Sequence, residues 1–300
     1  MKTEFKISDF IRYPATSGMV LISLGVTAAW WLKLDISILF ESAMIRRGEV
    51  WRLVTSIFPH VSIFHLIFNI YWIWILGLTI EKIFGSLKTL ALYLLLAVAS
   101  GSMEYALSAG GVGLSGVVYG LFGLLWVLSS RDERFHDVLN KQTINVFVGW
   151  FFLCIAATYS GMMTIGNVAH GTGAMFGVLI GFAIYLSRSR KLIVTGITAL
   201  LLFGLWAATF GRHMVNMSNQ SGYEEGELGY KELINHNDKE AIRWLREATL
   251  YQPKLAGNWF NLGIAYHRIG QMDEAKKAYK RAHELEPDNK EFTEASKEVQ

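Results

Sequence analysis

Charge and cysteine are both scarce in this sequence of 300 residues. Charged residues make up 18% of it, against roughly 25% in an average soluble domain, whereas hydrophobic residues make up 52%. The single cysteine, Cys154, excludes an internal disulfide framework and a cysteine-rich metal site. The net charge is only +3, and no polybasic segment indicates a nucleic-acid partner. The chain is therefore neither an ordinary soluble globule nor a disordered polymer.

The few charges are unevenly distributed along the chain. Residues 1–221 carry 26 of them, and the 79 residues from 222 to the end carry 27. Long apolar runs dominate the first part, each close to the ~20 residues that cross a bilayer as a helix. Their approximate positions are 18–34, 61–80, 89–109, 115–130, 142–160, 167–187 and 192–211. We therefore predict an all-α protein with a polytopic membrane bundle at 18–211 and a soluble helical tail.

Lysine and arginine predict how this bundle is oriented in the membrane. They concentrate in the N-terminal segment 1–17 and after the second, fourth and sixth runs, and the loops after the third and fifth runs have none. By the positive-inside rule, the N-terminus is cytoplasmic and seven spans place the tail outside the cell. The loop after the first run is an exception, with Arg46, Arg47 and Arg52, so we expect it to fold against the membrane.

Four polar side chains within the apolar runs are candidates for function, because such groups are costly in a membrane. Ser115, His170, His65 and Asn69 lie on three predicted helices that all run from outside to inside. Counted from the basic residue at the inner end, at 1.5 Å per residue, all four lie within about 10 Å of the outer hydrocarbon edge. The three helices therefore bring one hydroxyl, two imidazoles and one amide to a common depth.

These groups match the requirements of acyl transfer by a serine nucleophile. Ser115 begins a predicted helix after a glycine-rich stretch, where free N–H groups and the helix dipole favour an oxyanion. His170 is a candidate general base and acid for that hydroxyl. His65 and Asn69, four residues apart on one helix face, are candidate donors to the oxyanion. Tyr119, one turn after Ser115, is expected to hold the imidazole of His170 in place.

Other chemistries lack their residues in this sequence. No histidine begins a His-Glu-x-x-His sequence, and no aspartate falls within an apolar run, so neither a zinc site nor an aspartate pair is predicted. Glu104 lies near the correct depth and is either an orienting partner of the histidine or a hydrated residue at the loop edge. A Ser-His dyad is preferred to a triad. Glycines spaced by four on the fourth and sixth runs favour close packing of the two helices.

The region 45–187 resembles the rhomboid family of intramembrane serine proteases in five motifs. In chain order they are Trp51-Arg52, His60 with His65 and Asn69, Glu81-x-x-x-Gly85-Ser86, Gly113-Leu114-Ser115-Gly116 with Tyr119, and Ala169-His170-x-x-Gly173. The resemblance implies a six-helix core with a Ser-His dyad in an aqueous cavity that opens outward. It also implies cleavage of membrane proteins in or near a transmembrane helix, without a cofactor or metal. The seventh run resembles that of members with one added C-terminal helix.

The tail contains a repeat of 34 residues after a polar linker at 212–221. At this offset Leu228-Gly229 recurs as Leu262-Gly263 and Pro253 as Pro287, and two alanines also recur. The period predicts two tetratricopeptide-type helix pairs at 222–289, with 222–255 as the first and 256–289 as the second, and a capping helix at 290–300. Such repeats stack into a groove, for which we expect a peptide or adaptor protein as partner.

Three functions are compatible with these features. The preferred one is a serine endopeptidase of the bacterial plasma membrane that cleaves transmembrane proteins. A non-catalytic binder or chaperone of membrane proteins with a recruitment module is the alternative, although it has no need for Ser115 and His170 together. A transporter or channel is a third interpretation, but it would be expected to show midplane polar sites or inverted repeats.

Overall fold

The computed structural model describes residues 7–136, 138–218 and 220–298, and these ranges are helical, with no β-strand among them. The chain divides into two compact units at the boundary between Val215 and Asn216. Lys2 and Lys6 of the predicted cytoplasmic segment lie outside the described residues, as do the last two residues of the predicted capping helix.

The first unit contains the apolar helices. They are α1 (Ile7–Arg12), α2 (Pro14–Trp31), α3 (Arg52–Thr55), α4 (Ile63–Phe84), α5 (Ser86–Leu107), α6 (Ser115–Ser129), α7 (Lys141–Tyr159), α8 (Asn167–Tyr185), α9 (Arg190–Trp206) and α10 (Arg212–Val215). A π-helical turn at Ala207–Gly211 joins α9 to α10, so the helix is continuous from Arg190 to Val215. The long helices begin and end within four residues of the predicted apolar runs.

Among the described residues, five helices are long and apolar enough to cross a membrane: α4, α5, α7, α8 and the helix Arg190–Val215. The protein is thus a multi-pass membrane protein. Helix α6 is apolar but shorter, and α2 is not among the five. The sequence of α2 includes small polar residues, and four of them, Thr16, Ser17, Ser23 and Thr27, are buried. Its exposed side chains include Leu21, Ile22 and Leu24, so α2 presents an apolar outer face, whereas its inner face combines these polar residues with the core residues Met19 and Val20.

Helix α2 begins four residues before the predicted run because two features fix its start. Pro14 occupies the first turn, where its missing N–H costs nothing. The carboxylate of Glu81, on α4, accepts hydrogen bonds from the amides of Ala15 (3.0 Å) and Thr16 (2.8 Å). Glu81 is buried, so this carboxylate satisfies amides that the interior of the bundle would otherwise leave unpaired.

The loop between α2 and α4 is folded around a buried arginine. Arg52 donates to the carbonyls of Ser37 (2.7 Å) and Phe40 (2.8 Å) and forms a salt bridge with Glu49. These contacts close the loop on itself, whereas Trp51 stays half exposed. Five donors in a planar fork allow arginine to serve several acceptors at once, which explains why one residue can organise this segment.

Helices α6 and α8 pack with their backbones nearly in contact. A Cβ atom at Gly173 would overlap the carbonyl oxygen of Gly116, and one at Gly177 would overlap that of Gly120. On the other side of α6, a Cβ at Gly116 would lie 2.5 Å from Ser100 Oγ. Only residues without a side chain fit at these positions, so the glycines set the distance between the two helices.

The second unit contains five amphipathic helices. They are α11 (Tyr223–Ile234), α12 (Asp238–Tyr251), α13 (Ala256–Arg268), α14 (Met272–Leu285) and α15 (Lys290–Glu298). The first four helices form two pairs, α11 with α12 and α13 with α14. In each pair a large side chain packs against a glycine of the other helix: Leu245 against Gly229, and Tyr279 against Gly263. Phe292 of α15 stacks on Phe260 with ring centroids 4.7 Å apart. The tail is therefore a small helical domain in which α15 covers part of α13.

The glycine contact between α6 and α8 gives a test of the packing. We expect Gly177→Ala to destabilise the protein by about 1–3 kcal/mol, because the added methyl group forces the helices apart. Gly171→Ala, on the same helix, is the matched control, since its Cβ would meet Phe151 at 3.7 Å, an ordinary contact. Thermal unfolding in detergent compares the two variants. Equal midpoints for both would contradict this account of the contact.

Candidate active site

The hydroxyl of Ser115 and the imidazole of His170 form a hydrogen bond between two helices. Ser115 is the first residue of α6, and His170 lies in the first turn of α8. The distance between Ser115 Oγ and His170 Nε2 is 2.8 Å. His170 is buried and Ser115 is half-buried. A serine nucleophile and its general base require a contact of this kind, and here it lies at the ends of two tightly packed helices.

Tyr119 holds the His170 imidazole from one side. The two rings are stacked, with centroids 4.7 Å apart and an interplanar angle of 27°. The Tyr119 hydroxyl donates to the carbonyl of Phe147 at 3.1 Å, which prevents the phenol ring from turning away. The imidazole is thus fixed by a ring contact and by its bond to Ser115.

Glu104 does not bond to the imidazole, and it is buried rather than hydrated. Its carboxylate accepts the amide of Ala169 at 2.8 Å and the hydroxyl of Ser108. Both interpretations of Glu104 from the sequence are therefore wrong. Helix α8 has Gly166 at its N-cap, which offers no side chain, and Glu104 of α5 supplies the missing acceptor from outside. Glu104 positions the helix that carries His170 instead of the ring itself.

The other imidazole nitrogen of His170, Nδ1, shows whether a third residue contacts the ring. Among the described residues, none accepts or donates a hydrogen bond at His170 Nδ1. No carboxylate among the described residues bonds to the imidazole, so the contact joins two residues, Ser115 and His170, and not three.

His65 and Asn69 lie in the first two turns of α4. The Ser62 side chain accepts the amide of His65 at 3.2 Å and fixes the start of this helix. A Cβ at Gly113 would lie 2.5 Å from His65 Cε1, so the imidazole rests against the segment that precedes Ser115. Asn69 is fully buried, and neither polar atom of its side chain has a partner among the described residues. Both side chains therefore have polar atoms that are not hydrogen-bonded to any described residue: Nδ1 of His65, and Nδ2 and Oδ1 of Asn69.

The segment 110–114 is held by the loop between α2 and α4. Gly111 donates its amide to Glu41 Oε2 (2.9 Å), Gly113 to the Ser56 carbonyl (3.2 Å), and Leu114 to His60 Nε2 (3.4 Å). Gly113 has φ +109°, a conformation that favours glycine. These bonds use the amides that precede Ser115 and leave the first turn of α6 with N–H groups that lack intrahelical acceptors.

His60 is the structural histidine of the site. It is fully buried, and its Nδ1 donates to the Phe58 carbonyl at 2.8 Å, so Nε2 is free to accept the amide of Leu114. Burial, and then the neighbouring imidazole of His65, lower the pKa of His60 to about 3. The ring is therefore neutral at physiological pH and acts as a fixed acceptor.

Three residues of the predicted motifs stand outside this group of contacts. Arg52 organises the loop after α2, Trp51 is half exposed, and Glu81 caps α2. Arg52 and Glu81 therefore serve the scaffold. Among the described residues, no group of three His, Cys, Asp or Glu side chains is placed to hold a metal ion. Glu41 and Ser56 contact the segment before Ser115 and were missed in the sequence, where nothing marks an acceptor some 55–70 residues away.

Residues 47–187 match the family model described as Rhomboid domain, and residues 258–289 match the one described as Tetratricopeptide repeat. The first unit contains a rhomboid domain. Ser115, His170, His65, Asn69 and His60 all lie within the rhomboid match, whereas the helix Arg190–Val215 follows it.

Curated relatives that match this chain include several named rhomboid protease GlpG. The protein from Salmonella paratyphi A is 34% identical over 149 residues, which are 49% of this chain and 53% of the relative. That from Enterobacter sp. (strain 638) is 34% identical over 149 residues, or 48% and 51% of the two chains. The chain thus spans about half the length of the curated relatives it matches.

The neutral state of His60 predicts a loss of stability in acid. The unfolded chain binds a proton at this imidazole below pH 6.5, but the folded rhomboid domain does so only near pH 3. The free energy of unfolding should therefore fall as the pH decreases from about 6.5 toward 3. His60→Gln should be less stable at pH 7 and lose less over this interval. Chemical unfolding at pH 7 and pH 5 measures both, and an equal loss in the two proteins would contradict the assignment.

Proposed function

We propose that the rhomboid domain is an intramembrane serine endopeptidase that hydrolyses peptide bonds in or near transmembrane segments of membrane proteins. The observation that supports this best is the 2.8 Å hydrogen bond between Ser115 Oγ and His170 Nε2. Peptidase activity also agrees with the names of the relatives, rhomboid protease. The dyad is built from residues of two helices whose packing tolerates only glycine, so its geometry is held by the core of the bundle.

In the proposed reaction, His170 Nε2 takes the proton of Ser115 as Oγ attacks the carbonyl carbon of the scissile bond. The tetrahedral intermediate collapses when the C–N bond breaks, and His170 returns the proton to the leaving amine. The acyl group remains on Ser115 as an ester. A water molecule then gives a proton to His170 and attacks the ester carbonyl. The imidazolium finally protonates Ser115 Oγ, which releases the acid and restores the dyad.

The negative charge of the tetrahedral intermediate requires donors on the side of the serine. The first turn of α6 begins at Ser115 and provides backbone N–H groups and the positive end of the helix dipole. We assign His65 and Asn69 as side-chain donors because both are on α4 and have polar atoms without partners among the described residues. A preorganised donor of this kind is typically worth ~10²-fold or more in rate.

We further propose that the domain lies in the bacterial plasma membrane with its N-terminus in the cytoplasm and the tail outside. The lysine and arginine pattern favours this orientation. It also places the dyad near the outer surface, where water reaches a site at the ends of helices α6 and α8. A non-catalytic binder remains the alternative, and only a reaction of Ser115 distinguishes it from an enzyme.

The catalytic roles of Ser115 and His170 can be tested with two variants and one control variant. The wild type should cleave a transmembrane model substrate in liposomes and react covalently with a fluorophosphonate, whereas Ser115→Ala and His170→Ala should lose cleavage by about 10³-fold or more. Ser129→Ala, at the other end of α6, should retain wild-type activity because its hydroxyl bonds to the Trp126 carbonyl of its own helix, far from Ser115. A wild type that neither cleaves nor reacts would favour the non-catalytic binder.

The tail is proposed to bind an extended peptide of a substrate or adaptor. Its two proposed repeats at 222–255 and 256–289, followed by α15 (Lys290–Glu298), leave an apolar row on α11 that includes Tyr223, Tyr230 and Ile234. Their spacing of seven and four residues puts them on one face, and each is about half exposed. Exposed aromatic residues are enriched where proteins bind one another. Binding there would raise the local concentration of the peptide at the membrane enzyme.

Two tyrosines test the role of this face. Tyr223→Ser with Tyr230→Ser should slow cleavage of natural substrates by about tenfold, because a second attachment point is lost, while Ser115 keeps its fluorophosphonate reactivity. Leu250→Ser is the control, since Leu250 is exposed on α12 rather than α11. Membrane proteomes of cells that express each variant give the readout. Unchanged cleavage of every natural substrate in the double variant would refute recruitment by this face.

A further inference from the structure

A buried arginine connects the seventh long helix to the end of α5. Arg212 is 6% exposed and lies in α10, directly after the π-helical turn. Its Nε donates to the carbonyl of Tyr105 at 2.9 Å, and its guanidinium lies over the Tyr105 ring at 4.0 Å from the centroid. Nη2 donates to the carbonyl of Ser108 at 3.5 Å. The sequence placed Arg212 in a polar linker, so this role is a correction.

The π-helical turn explains how Arg212 reaches this position. A π-turn widens the helix and rotates the residues that follow it, and such turns are frequent at functional sites. Here Ala207 and Ala208 of the turn are buried in a small cluster with Ile45, Leu53 and Tyr105. The end of the seventh helix is thus packed against both α5 and the loop after α2. A cation at the C-terminal end of α5 also opposes the negative end of its dipole.

From the end of α5, hydrogen bonds lead to the start of α8, one residue before the histidine of the dyad. Arg212 binds the carbonyl of Ser108, and the hydroxyl of Ser108 binds the carboxylate of Glu104. Glu104 accepts the amide of Ala169, the residue before His170. A displacement of this last turn of α5 would therefore move the acceptor that fixes the start of α8, and with it the imidazole.

A second carboxylate, Glu41, bonds to the segment that precedes the serine. Glu41 accepts the amide of Gly111 at 2.9 Å, in the segment that precedes Ser115. Burial of its carboxylate and the nearby negative charge of Glu104 raise the pKa of Glu41, whereas the positive charge of Arg212 lowers it. The charge of Arg212 is the smallest of the influences on Glu41, so the arginine acts on the dyad through Ser108 and Glu104.

We propose that Arg212 is a positioning residue for the dyad: by holding the last turn of α5, and with it Glu104, it aligns His170 with Ser115. The C-terminal end of the helix Arg190–Val215, which lies beyond the rhomboid match at 47–187, then contributes a positioning residue to the site. This inference rests on the proposed peptidase function. Misplacement of reacting groups by about 1 Å can cost ~10²-fold in rate, so the effect should be measurable.

The test measures how fast a fluorophosphonate labels Ser115 in liposomes, with all 300 residues present. The rate is measured over a range of reagent concentrations, which gives a maximal labelling rate and a half-saturating concentration. Arg212→Met should lower the maximal rate about tenfold or more and change half-saturation less than twofold. Arg212→Lys, which keeps the charge with fewer donors, should give an intermediate rate. Arg190→Met is the matched control, because Arg190 of the same helix also binds carbonyls, those of Ala183 and Ile184, but at the opposite end of α8. It should label at the wild-type rate.

A double-mutant cycle separates positioning from general destabilisation. Glu104→Gln should lower the maximal rate by itself, and Arg212→Met should add little to it, because both act through the same turn of α5. If the Met variant does not fold, the cycle is run with Arg212→Lys. Strictly additive losses, or wild-type labelling in the Arg212 variants, would overturn the proposal. A wild type that is not labelled at all would instead overturn the peptidase function on which it rests.

Discussion

The distance between helices α6 and α8 limits everything else in the rhomboid domain, because their facing glycines let the two backbones approach until carbonyl oxygens fill the space of absent side chains. Only at this separation does the serine at the start of α6 come within 2.8 Å of the histidine on α8. Helix packing in a membrane gains little from the hydrophobic effect and depends on close contact and hydrogen bonds. The glycines therefore contribute both to the stability of the bundle and to the geometry of its dyad.

A second recurring feature is that buried carboxylates accept hydrogen bonds from backbone amides at the start of a neighbouring helix. Glu81 of α4 caps α2 at one end of the bundle, and Glu104 of α5 caps α8 at the other. A helix that begins inside a bundle has N–H groups that water cannot reach, and each is costly to leave unpaired. In both cases the acceptor comes from a neighbouring helix, so capping also fixes how the two helices are placed. Because Glu104 caps α8 at the residue before His170, the same hydrogen bond that caps this helix also helps to position the imidazole.

Much of this architecture follows from the sequence, because hydropathy and residue depth are local properties. Apolar runs predict the helices within four residues, and the all-α membrane fold and the tetratricopeptide region are confirmed. Counting residues along three predicted helices is enough to predict that Ser115 and His170 lie at the same depth in the membrane. The contacts of Glu104 and Arg212 could not be predicted in this way. Their partners are backbone atoms of other helices, as far as 107 residues away for Arg212 and Tyr105, and a backbone acceptor leaves no mark in a sequence.

The central claim is that the hydroxyl of Ser115 and the imidazole of His170 react as one unit. A peptidyl chloromethyl ketone tests it most directly, because such a reagent joins the serine, as a hemiketal, to the histidine that it alkylates. Mass-spectrometric mapping of the treated protein in liposomes should place the alkylation on His170 and find none there in Ser115→Ala. Alkylation of His60 or His65 in place of His170, or equal alkylation of His170 without the serine, would contradict the account.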